Sequence, residues 1–448
     1  MNGEDAMTRG QGQWTRRFRG ARGALAVVLT ATLLASAGCT PEERPATAAS
    51  ASAAPSPTAS LSPHDAVEAM LKAQAEALLR GDEAGYLAPV DKSYTALYGH
   101  FRNQFKILRA LRISAWQIMM GIPAVYPQGP GAEKHRVQLD VVVSYCFATP
   151  TCPPPSRLTS DAAQFTYRPK VSLRGNGYLI TGLNQPATDA YSLRPLPWEW
   201  DSLVFQDGER VTVAAPPAQA KRLGEVTAAA DRAARITDRY AEVAGRQPPP
   251  RYVVFLAGNK EWNRWLGGQD AKYAVGYAYQ SGKIRSDVVL KMSALGRSNL
   301  EPVLRHEFGH VVTSTGSDDR AAGIYNSKQW ITEGIAEYIE FAPQGPTASG
   351  TMRAVRSHVQ RGKWASTIEL APLPESASDE AASVFYGLSH LAISCMASRY
   401  GEANMFQWAM NALHGDLNYD EAAEKHFGVG FKTVNTTCTS YIRRTLNL

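Results

Sequence analysis

The sequence has no long apolar segment after its N-terminus, and this absence limits the class of protein. The 448-residue chain is 44% hydrophobic and 20% charged, as in an ordinary globular protein. A membrane-spanning helix needs about 20 predominantly apolar residues, and no run beyond residue 38 approaches that length. A polytopic membrane protein is therefore excluded, and the length allows two or three domains.

Basic clusters interleaved with aromatic residues are also lacking. Half of the formal charge of +6 arises in residues 1–38, where the charges of five arginines are offset only by those of Glu4 and Asp5. Because the remaining chain is nearly balanced in charge, electrostatics gives no reason to expect a nucleic-acid partner.

Cysteine is scarce, and no Cys-x-x-Cys pair indicates a zinc-thiolate site or a redox motif. Of the five cysteines, Cys39 lies near the N-terminus and the other four form an even set. In an oxidising compartment they predict two disulfides. Cys146–Cys152 would close a proline-rich loop, and Cys395–Cys438 would join two late helices; free buried thiols are the alternative.

Residues 1–38 predict a secretory signal peptide, because a basic segment precedes the apolar stretch Ala24–Leu34 and small residues follow. The sequence Ser36-Ala37-Gly38-Cys39 resembles the lipobox of bacterial lipoproteins. This resemblance implies that Cys39 is acylated and anchors the protein to the cell membrane on its extracytoplasmic side. Residues 39–63, rich in Ala, Ser, Thr and Pro, predict a flexible tether. A secreted protein with a plain signal peptide is the alternative.

Residues 64–185 predict an accessory domain in which helices precede antiparallel strands. Helical spacing of apolar residues extends over residues 64–80 and 94–111. Alternating segments predict strands at Ile113–Met119, Val137–Phe147, Gln164–Leu173 and Tyr178–Gly182, with a turn at Gly175-Asn176-Gly177. This order of elements resembles the nuclear-transport-factor-like or SnoaL-like cone, which implies a curved antiparallel sheet.

Residues 186–448 predict a second domain with a small mixed sheet and a mainly helical C-terminal half, so the fold class is α+β. The predicted elements of its first part are Arg210–Ala214, Ala218–Ala244, Tyr252–Leu256, Lys260–Leu266, Ala274–Tyr279 and Asp287–Met292. The predicted late helices are Asp379–Tyr400, Ala403–His414, Asp420–Phe427 and Phe431–Thr445.

Residues 306–310 read His-Glu-Phe-Gly-His, within a helix that can begin near Ser298 with Pro302 in its first turn. His306 and His310 project from one face of that helix, so their imidazoles can share a metal ion. Glu307 points beside that face and can hold a water that the metal polarises. Two surface histidines of a helix are the alternative.

A hydrolytic zinc site needs three protein ligands and one open position. Thr313 and Gly316 stand where the metzincin pattern requires Gly and His, so that arrangement is excluded. The downstream segment Gln329–Tyr338 carries Glu333, and together with the HExxH sequence it resembles the gluzincin metallopeptidases, the group of thermolysin and aminopeptidase N. Asp318 or Asp319 as third ligand, and Glu333 as a solvated carboxylate, are the alternatives.

The gluzincin resemblance covers residues 200–448 and implies a Zn²⁺ cofactor held by His306, His310 and Glu333. It further implies that Glu307 is the general base and that Glu337 orients a ligand histidine. The candidate transition-state donor is Tyr386, with His390 as a second choice and a core tyrosine as the alternative. The resemblance also places strand Asp287–Met292 at the sheet edge that receives an extended peptide.

The sequence therefore predicts a membrane-anchored, extracytoplasmic zinc metallopeptidase that hydrolyses peptide or protein substrates. Its N-terminal domain is expected to be a non-catalytic accessory module. The alternative function is a non-catalytic ligand-binding or scaffold lipoprotein with a vestigial zinc site.

Overall fold

The structure is a computed structural model. The described residues are 62–121, 136–149, 151–154, 161–174, 177–184, 194–268, 272–314, 327–414 and 417–448. The predicted signal peptide, Cys39, nearly all of the tether, the first two residues of the Gly175-Asn176-Gly177 turn, and the alternative ligands Asp318 and Asp319 lie outside the described residues.

In the described part of residues 63–183, which we call the N-terminal module, three helices and six strands are present. The helices are α1 (Pro63–Arg80), α2 (Glu83–Leu87) and α3 (Thr95–Ala110). The strands are β1 (Ile113–Met120), β2 (Arg136–Gln138), β3 (Val141–Phe147), β4 (Ala163–Tyr167), β5 (Pro169–Arg174) and β6 (Gly177–Leu183). They form two antiparallel three-stranded sheets, with the orders β1-β3-β4 and β2-β5-β6.

Two segments that the sequence predicts as single strands are each interrupted in the structure. One interruption separates β2 from β3 and includes Asp140, and the other separates β4 from β5 at Arg168. Arg168 Nε donates a hydrogen bond to Asp140 Oδ1 at 2.9 Å, which links the two interruptions. Pro169 begins β5 and cannot donate a backbone hydrogen bond. The strands therefore pass from one sheet to the other at this level, as a strongly curved sheet requires.

The next part of the chain contains a five-stranded mixed sheet and the helices that connect its strands. Its elements are α4 (Pro197–Trp200), β7 (Val204–Asp207), β8 (Val211–Ala215), α5 (Leu223–Val243), β9 (Tyr252–Ala257), α6 (Asn259–Trp262), β10 (Gly276–Gly282) and β11 (Arg285–Lys291). The strand order is β10-β11-β9-β8-β7. Strands β8, β9 and β11 are parallel, and the outer strands β7 and β10 are antiparallel to their neighbours.

The position of one strand differs from the prediction. The segment predicted as the edge strand, Asp287–Met292, corresponds to β11, which pairs with β9 on one side and β10 on the other. The edge prediction is therefore wrong, and among the described strands β10 is the edge strand next to the HExxH helix. The continuous burial of residues 286–290 is typical of an interior strand. Strand β7, which is largely exposed, was not predicted.

Seven helices complete the described chain. They are α7 (Arg297–Ser314), α8 (Gln329–Glu340), α9 (Met352–Gln360), α10 (Asp379–Tyr400), α11 (Glu402–His414), α12 (Tyr419–Phe427) and α13 (Phe431–Thr445). The four predicted late helices agree with α10–α13 to within one residue, and the α+β fold class is confirmed. Helix α7 begins at Arg297, before the predicted start near Ser298, so Pro302 lies inside the helix; buried Leu300 packs this first part onto the core.

The mixed sheet is buried on both faces. On one face, Val254 and Leu290 pack with residues of α5 and α7. On the opposite face, Phe255 and Val289 pack with Tyr145 of the N-terminal module. The module and the sheet thus share a hydrophobic core, and residues from 60 onward form one compact unit. The boundary between residues 185 and 186 stays a prediction.

Both predicted disulfides, Cys146–Cys152 and Cys395–Cys438, are confirmed. The second joins α10 to α13. Among the described helices, only α10 is long and apolar enough to cross a membrane, and 72% of its apolar window is buried inside the protein. Burial in the core therefore accounts for its apolar character.

Candidate metal centre and active site

Helix α7 is held against the sheet by its apolar side. Leu304, Phe308 and Val311 are buried in the core, and the Phe308 ring stacks on Tyr252 of β9 with centroids 4.1 Å apart. These contacts fix the rotation of the helix. As a result, His306 and His310 share the opposite side, where their side chains are 13% and 16% exposed.

Glycines bring α7, α8 and α10 close together. A Cβ added to Gly309 of α7 would lie 3.2 Å from Ala336 Cα of α8. A Cβ added to Gly334 of α8 would lie 2.7 Å from the backbone oxygen of Ser389 on α10. The glycine that follows Glu333 therefore has a packing role, because it allows α8 to lie directly on α10.

The structure brings the three predicted zinc ligands together. His306 Nε2 lies 3.2 Å from Glu333 Oε2 and 3.2 Å from His310 Nε2, and the third side of this triangle measures 3.3 Å. A tetrahedral site with zinc–ligand bonds of about 2.0–2.1 Å separates its ligand atoms by roughly 3.3 Å. The donor types and their spacing thus fit a zinc ion with a fourth position left for water or substrate.

The charges around this triangle favour a cation. Burial opposes ionisation of Glu333, but His310 and His306 outweigh it and lower the pKa of Glu333 to about 2. Burial likewise opposes protonation of His306, yet Glu333 and Glu340 raise the pKa of His306 well above its ordinary value. The carboxylates therefore make the space between these side chains attractive to positive charge.

Glu307 lies beside the triangle and is only 5% exposed. Burial raises the pKa of its carboxyl group, which makes it a better proton acceptor than an exposed glutamate. Its Oε2 has no hydrogen-bond partner among the described residues. Gly276, the first residue of edge strand β10, approaches so closely that a Cβ there would lie 2.7 Å from Glu307 Oε1. The predicted base thus lies at the beginning of the edge strand.

The carboxylate closest to Nδ1 of His306 is one that the sequence analysis missed. Glu340 Oε2 lies 3.0 Å from this nitrogen, whereas Oε1 of the predicted partner Glu337 lies 3.8 Å from it. Burial, followed by the charge of Glu340, raises the pKa of Glu337 to about 8. Glu340 follows Glu333 by seven residues, and this spacing on one helix face was the available signal.

Tyr386 and His390 lie at different depths. The Tyr386 ring is partly buried, 6.0 Å from the His306 ring and 6.3 Å from the ring of Tyr273, which was also missed. His390 is fully buried, and its Nδ1 lies 3.7 Å from Glu337 Oε2. Burial lowers the pKa of His390 to about 3. Tyr386 is therefore better placed than His390 to meet a substrate, and no sequence spacing marked Tyr273.

The matches of this chain to known proteins come from solved structures. No family model and no curated protein sequence matches the chain. Two solved structures of yeast LTA4 hydrolase, one in complex with Bestatin and one native, have a TM-score of 0.31 to this structure. The sequence identities are 13% and 12%, and the match covers 75% of this chain. The chain spans 58% of the length of the LTA4 hydrolase chains, and a similarity at this level identifies no family.

Proposed function

We propose that this protein is a zinc metallopeptidase of the gluzincin type that hydrolyses peptide bonds. The observation that carries the proposal is the triangle of His306, His310 and Glu333, whose donor atoms lie 3.2–3.3 Å apart. The buried Glu307 beside it supplies the second requirement for hydrolysis, a base next to the proposed metal ligands.

Each side chain has a role that follows from its position. A bound zinc would supply a polarised water at neutral pH. Glu307 accepts the proton of the attacking water and passes it to the leaving amine. Tyr386 of α10, whose ring centre lies 6.0 Å from that of His306, stabilises the oxyanion that develops on the substrate carbonyl. The edge strand β10 offers backbone hydrogen bonds to an extended peptide.

The proposed location is the extracytoplasmic side of the cell membrane, with Cys39 as the lipid anchor and a secreted form as the alternative. The two disulfides support export to an oxidising compartment. A Cys39→Ala variant should appear in the medium instead of the membrane fraction, while zinc content and peptide turnover persist. Continued membrane retention of that variant would contradict the lipid anchor.

The central experiment compares Glu307→Gln with wild type for bound zinc per chain and for cleavage of a peptide library. We expect unchanged zinc and loss of turnover by about 10²-fold or more, because the base is removed while the ligands remain. Glu301→Gln is the matched control, since Glu301 lies on the same helix and pairs with Arg305 and Arg232 away from the metal ligands. Full activity of Glu307→Gln would refute the mechanism, and wild-type zinc without any turnover would favour the scaffold alternative.

A further inference from the structure

Two segments of the chain carry cations and no acidic side chain. The sequence contains no Asp or Glu between Glu340 and Glu369, and none follows Glu424. The first segment includes α9 and the second includes α13. Six exposed cations lie on α9, on the loop after it and on the last turns of α13, and we call them the basic face: Arg353, Arg356, Arg361, Lys363, Arg443 and Arg444. Because about 80 residues separate the two groups in sequence, no local pattern indicates that they belong together.

Side-chain contacts join the two groups into one surface. Arg356 Nε donates to the backbone oxygen of Leu446 at 3.1 Å, so α9 lies against the end of α13. Arg443 Nη2 donates to Ser366 Oγ at 2.8 Å, and its guanidinium lies 5.5 Å from the centre of the Trp364 ring. The loop after α9 therefore lies on the same turns of α13, and the cations of all three elements share one side of the protein.

Acidic side chains neutralise little of the basic face. Among the described residues, only Arg361 of the six forms an ion pair, in which Glu380 Oε1 lies 2.8 Å from its Nη2. Elsewhere exposed arginines lie against carboxylates, as Arg232 does against Glu301. Five positive charges are thus left without an ion pair on one surface, where they repel one another. A partner with fixed negative charge would offset that repulsion.

The basic face and the candidate metal centre lie on opposite sides of α10. Gly387 and Cys395 of α10 contact α9 and α13, respectively. Ser389 lies against α8, and the ring of Tyr386 lies beside that of His306. At about 100° of rotation per helical residue, the first two positions of α10 point roughly 180° away from the last two. A partner bound to the basic face therefore leaves the candidate active site uncovered.

We propose that the basic face binds the anionic headgroups of a membrane surface. Guanidinium groups bind phosphate through charge and paired N–H donors, and each cation near an anionic bilayer adds to the affinity. A membrane is favoured over an acidic polypeptide because the predicted lipid anchor at Cys39 keeps the protein close to one. A flexible tether of the length of residues 39–63 spans about 25–30 Å.

Binding in this way sets the orientation of the protein on the membrane. Because α10 separates the basic face from the candidate metal centre, the active site is directed away from the bilayer, towards soluble or surface-exposed proteins. The inference goes beyond the proposed peptidase function and does not depend on it.

The first test measures how the protein partitions onto lipid vesicles in a co-sedimentation assay. The chain from residue 39 onward carries Cys39→Ala, so neither an acyl group nor the basic residues 1–38 contribute. Vesicles of phosphatidylcholine with about 30% phosphatidylglycerol are compared with vesicles of phosphatidylcholine alone. We expect binding to the anionic vesicles only, and a fall of roughly tenfold or more in the partition coefficient between about 0.05 M and 0.3 M NaCl.

Two variants that each lose three charges show whether the basic face is responsible. The basic-face variant combines three side chains that form no ion pair or hydrogen bond among the described residues: Arg353→Gln, Lys363→Gln and Arg444→Gln. The control variant combines three exposed positions outside the basic face: Lys92→Gln, Lys106→Gln and Lys260→Gln. Each charge should contribute about fivefold, so the basic-face variant should bind roughly a hundredfold more weakly, while the control variant stays within about threefold of wild type.

Three results of this comparison would overturn the proposal. The first is a wild-type chain that does not bind the anionic vesicles, and the second is equal weakening in the two variants, which would assign the binding to net charge alone. The third involves polyglutamate as a soluble polyanion. If the basic-face variant lost affinity for polyglutamate but not for vesicles, the partner would be an acidic polypeptide and not a membrane.

The second test locates the contact by hydrogen exchange of the wild-type chain on the anionic vesicles. We expect slower exchange in residues 352–366 and 440–448 and unchanged exchange in α3. Protection confined to other segments would overturn the proposal. Peptide turnover by the basic-face variant in solution should equal that of wild type, so a failure of vesicle binding is distinguishable from a failure of the peptidase function.

Discussion

Glu340 Oε2 lies 3.0 Å from His306 Nδ1, on the side of the imidazole ring that faces away from the ligand triangle. A hydrogen bond at this nitrogen fixes the ring orientation and directs Nε2 towards Glu333. It also sets the tautomer, because the proton on Nδ1 leaves the lone pair on Nε2 for a metal. In the proposed zinc site Glu340 is thus a positioning residue, located two helical turns after Glu333, the proposed third ligand.

Replacing Glu340 by Ala should weaken zinc binding by about 10–100-fold, because His306 loses the acceptor that orients it. Competition with a chromogenic chelator measures the zinc affinity. Glu340→Gln, which retains an acceptor oxygen, should fall between wild type and Glu340→Ala.

The matched comparison is Glu337→Gln, at the position 3.8 Å from the same nitrogen. Because Glu337 lies farther from this nitrogen than Glu340 does, this variant should lose less zinc affinity than Glu340→Gln. A larger loss for Glu337→Gln would assign the orienting role to Glu337 instead.

The sequence predicted those parts of the site that short-range geometry determines. Four residues make about one helical turn, so the shared face of His306 and His310 followed from their spacing alone. The same reasoning could have found Glu340 from Glu333. By contrast, the approach of α8 to α7 depends on tertiary packing at Gly309 and Gly334. Glu333 was therefore predicted as a ligand only from a family resemblance.

The sequence pattern did not determine the order of strands in the mixed sheet. Both β10 and β11 have strand-like segments, and their pairing as a hairpin does not tell which one joins β9. The burial of Val288, Val289 and Leu290 on both faces of the sheet favours an interior position.

Gly276→Ala should lower kcat by roughly 10–100-fold with little change in the free energy of unfolding. The added methyl group would lie 2.7 Å from Glu307 Oε1, so the carboxylate must move away from the reacting atoms. Peptide turnover and urea unfolding are measured on the same preparation.

The control for this variant is Gly99→Ala on α3, where an added Cβ has no atom within 4 Å. Alanine should stabilise that helix by about 0.5–1 kcal/mol and leave turnover unchanged. If Gly276→Ala had wild-type kcat, the close approach of β10 to the base would lack a catalytic consequence.

Gly334→Ala should reduce the free energy of unfolding by about 1–3 kcal/mol, because its methyl group meets the backbone oxygen of Ser389 at 2.7 Å. A backbone atom cannot turn aside as a flexible side chain can, so α8 must shift and carry Glu333 with it. We therefore expect weaker zinc binding as well as lower stability. Gly350→Ala, which meets nothing within 4 Å, should change neither quantity, and an equally stable Gly334→Ala would contradict the tight packing of α8 on α10.

The two disulfides should differ in their contribution to stability. Their cysteines are 43 and 6 residues apart in sequence, and the longer loop loses more freedom in the unfolded chain. Chain-entropy reasoning gives about 4 kcal/mol for Cys395–Cys438 and about 2 kcal/mol for Cys146–Cys152. Guanidinium unfolding of the two double-alanine variants measures this order, and a greater loss from removing Cys146 and Cys152 would contradict it.

Removal of metal should lower the melting temperature by several degrees, and Zn²⁺ should restore it while Mg²⁺ should not. A ligand at a thousandfold excess over its Kd stabilises the folded state by about 4 kcal/mol, and two imidazoles with one carboxylate favour zinc over magnesium. Differential scanning calorimetry before and after dialysis against a chelator measures the shift. His310→Ala removes one of the three proposed ligands, so its melting temperature should change little when metal is removed. An undiminished shift in His310→Ala would mean that the stabilising ion is held by other residues.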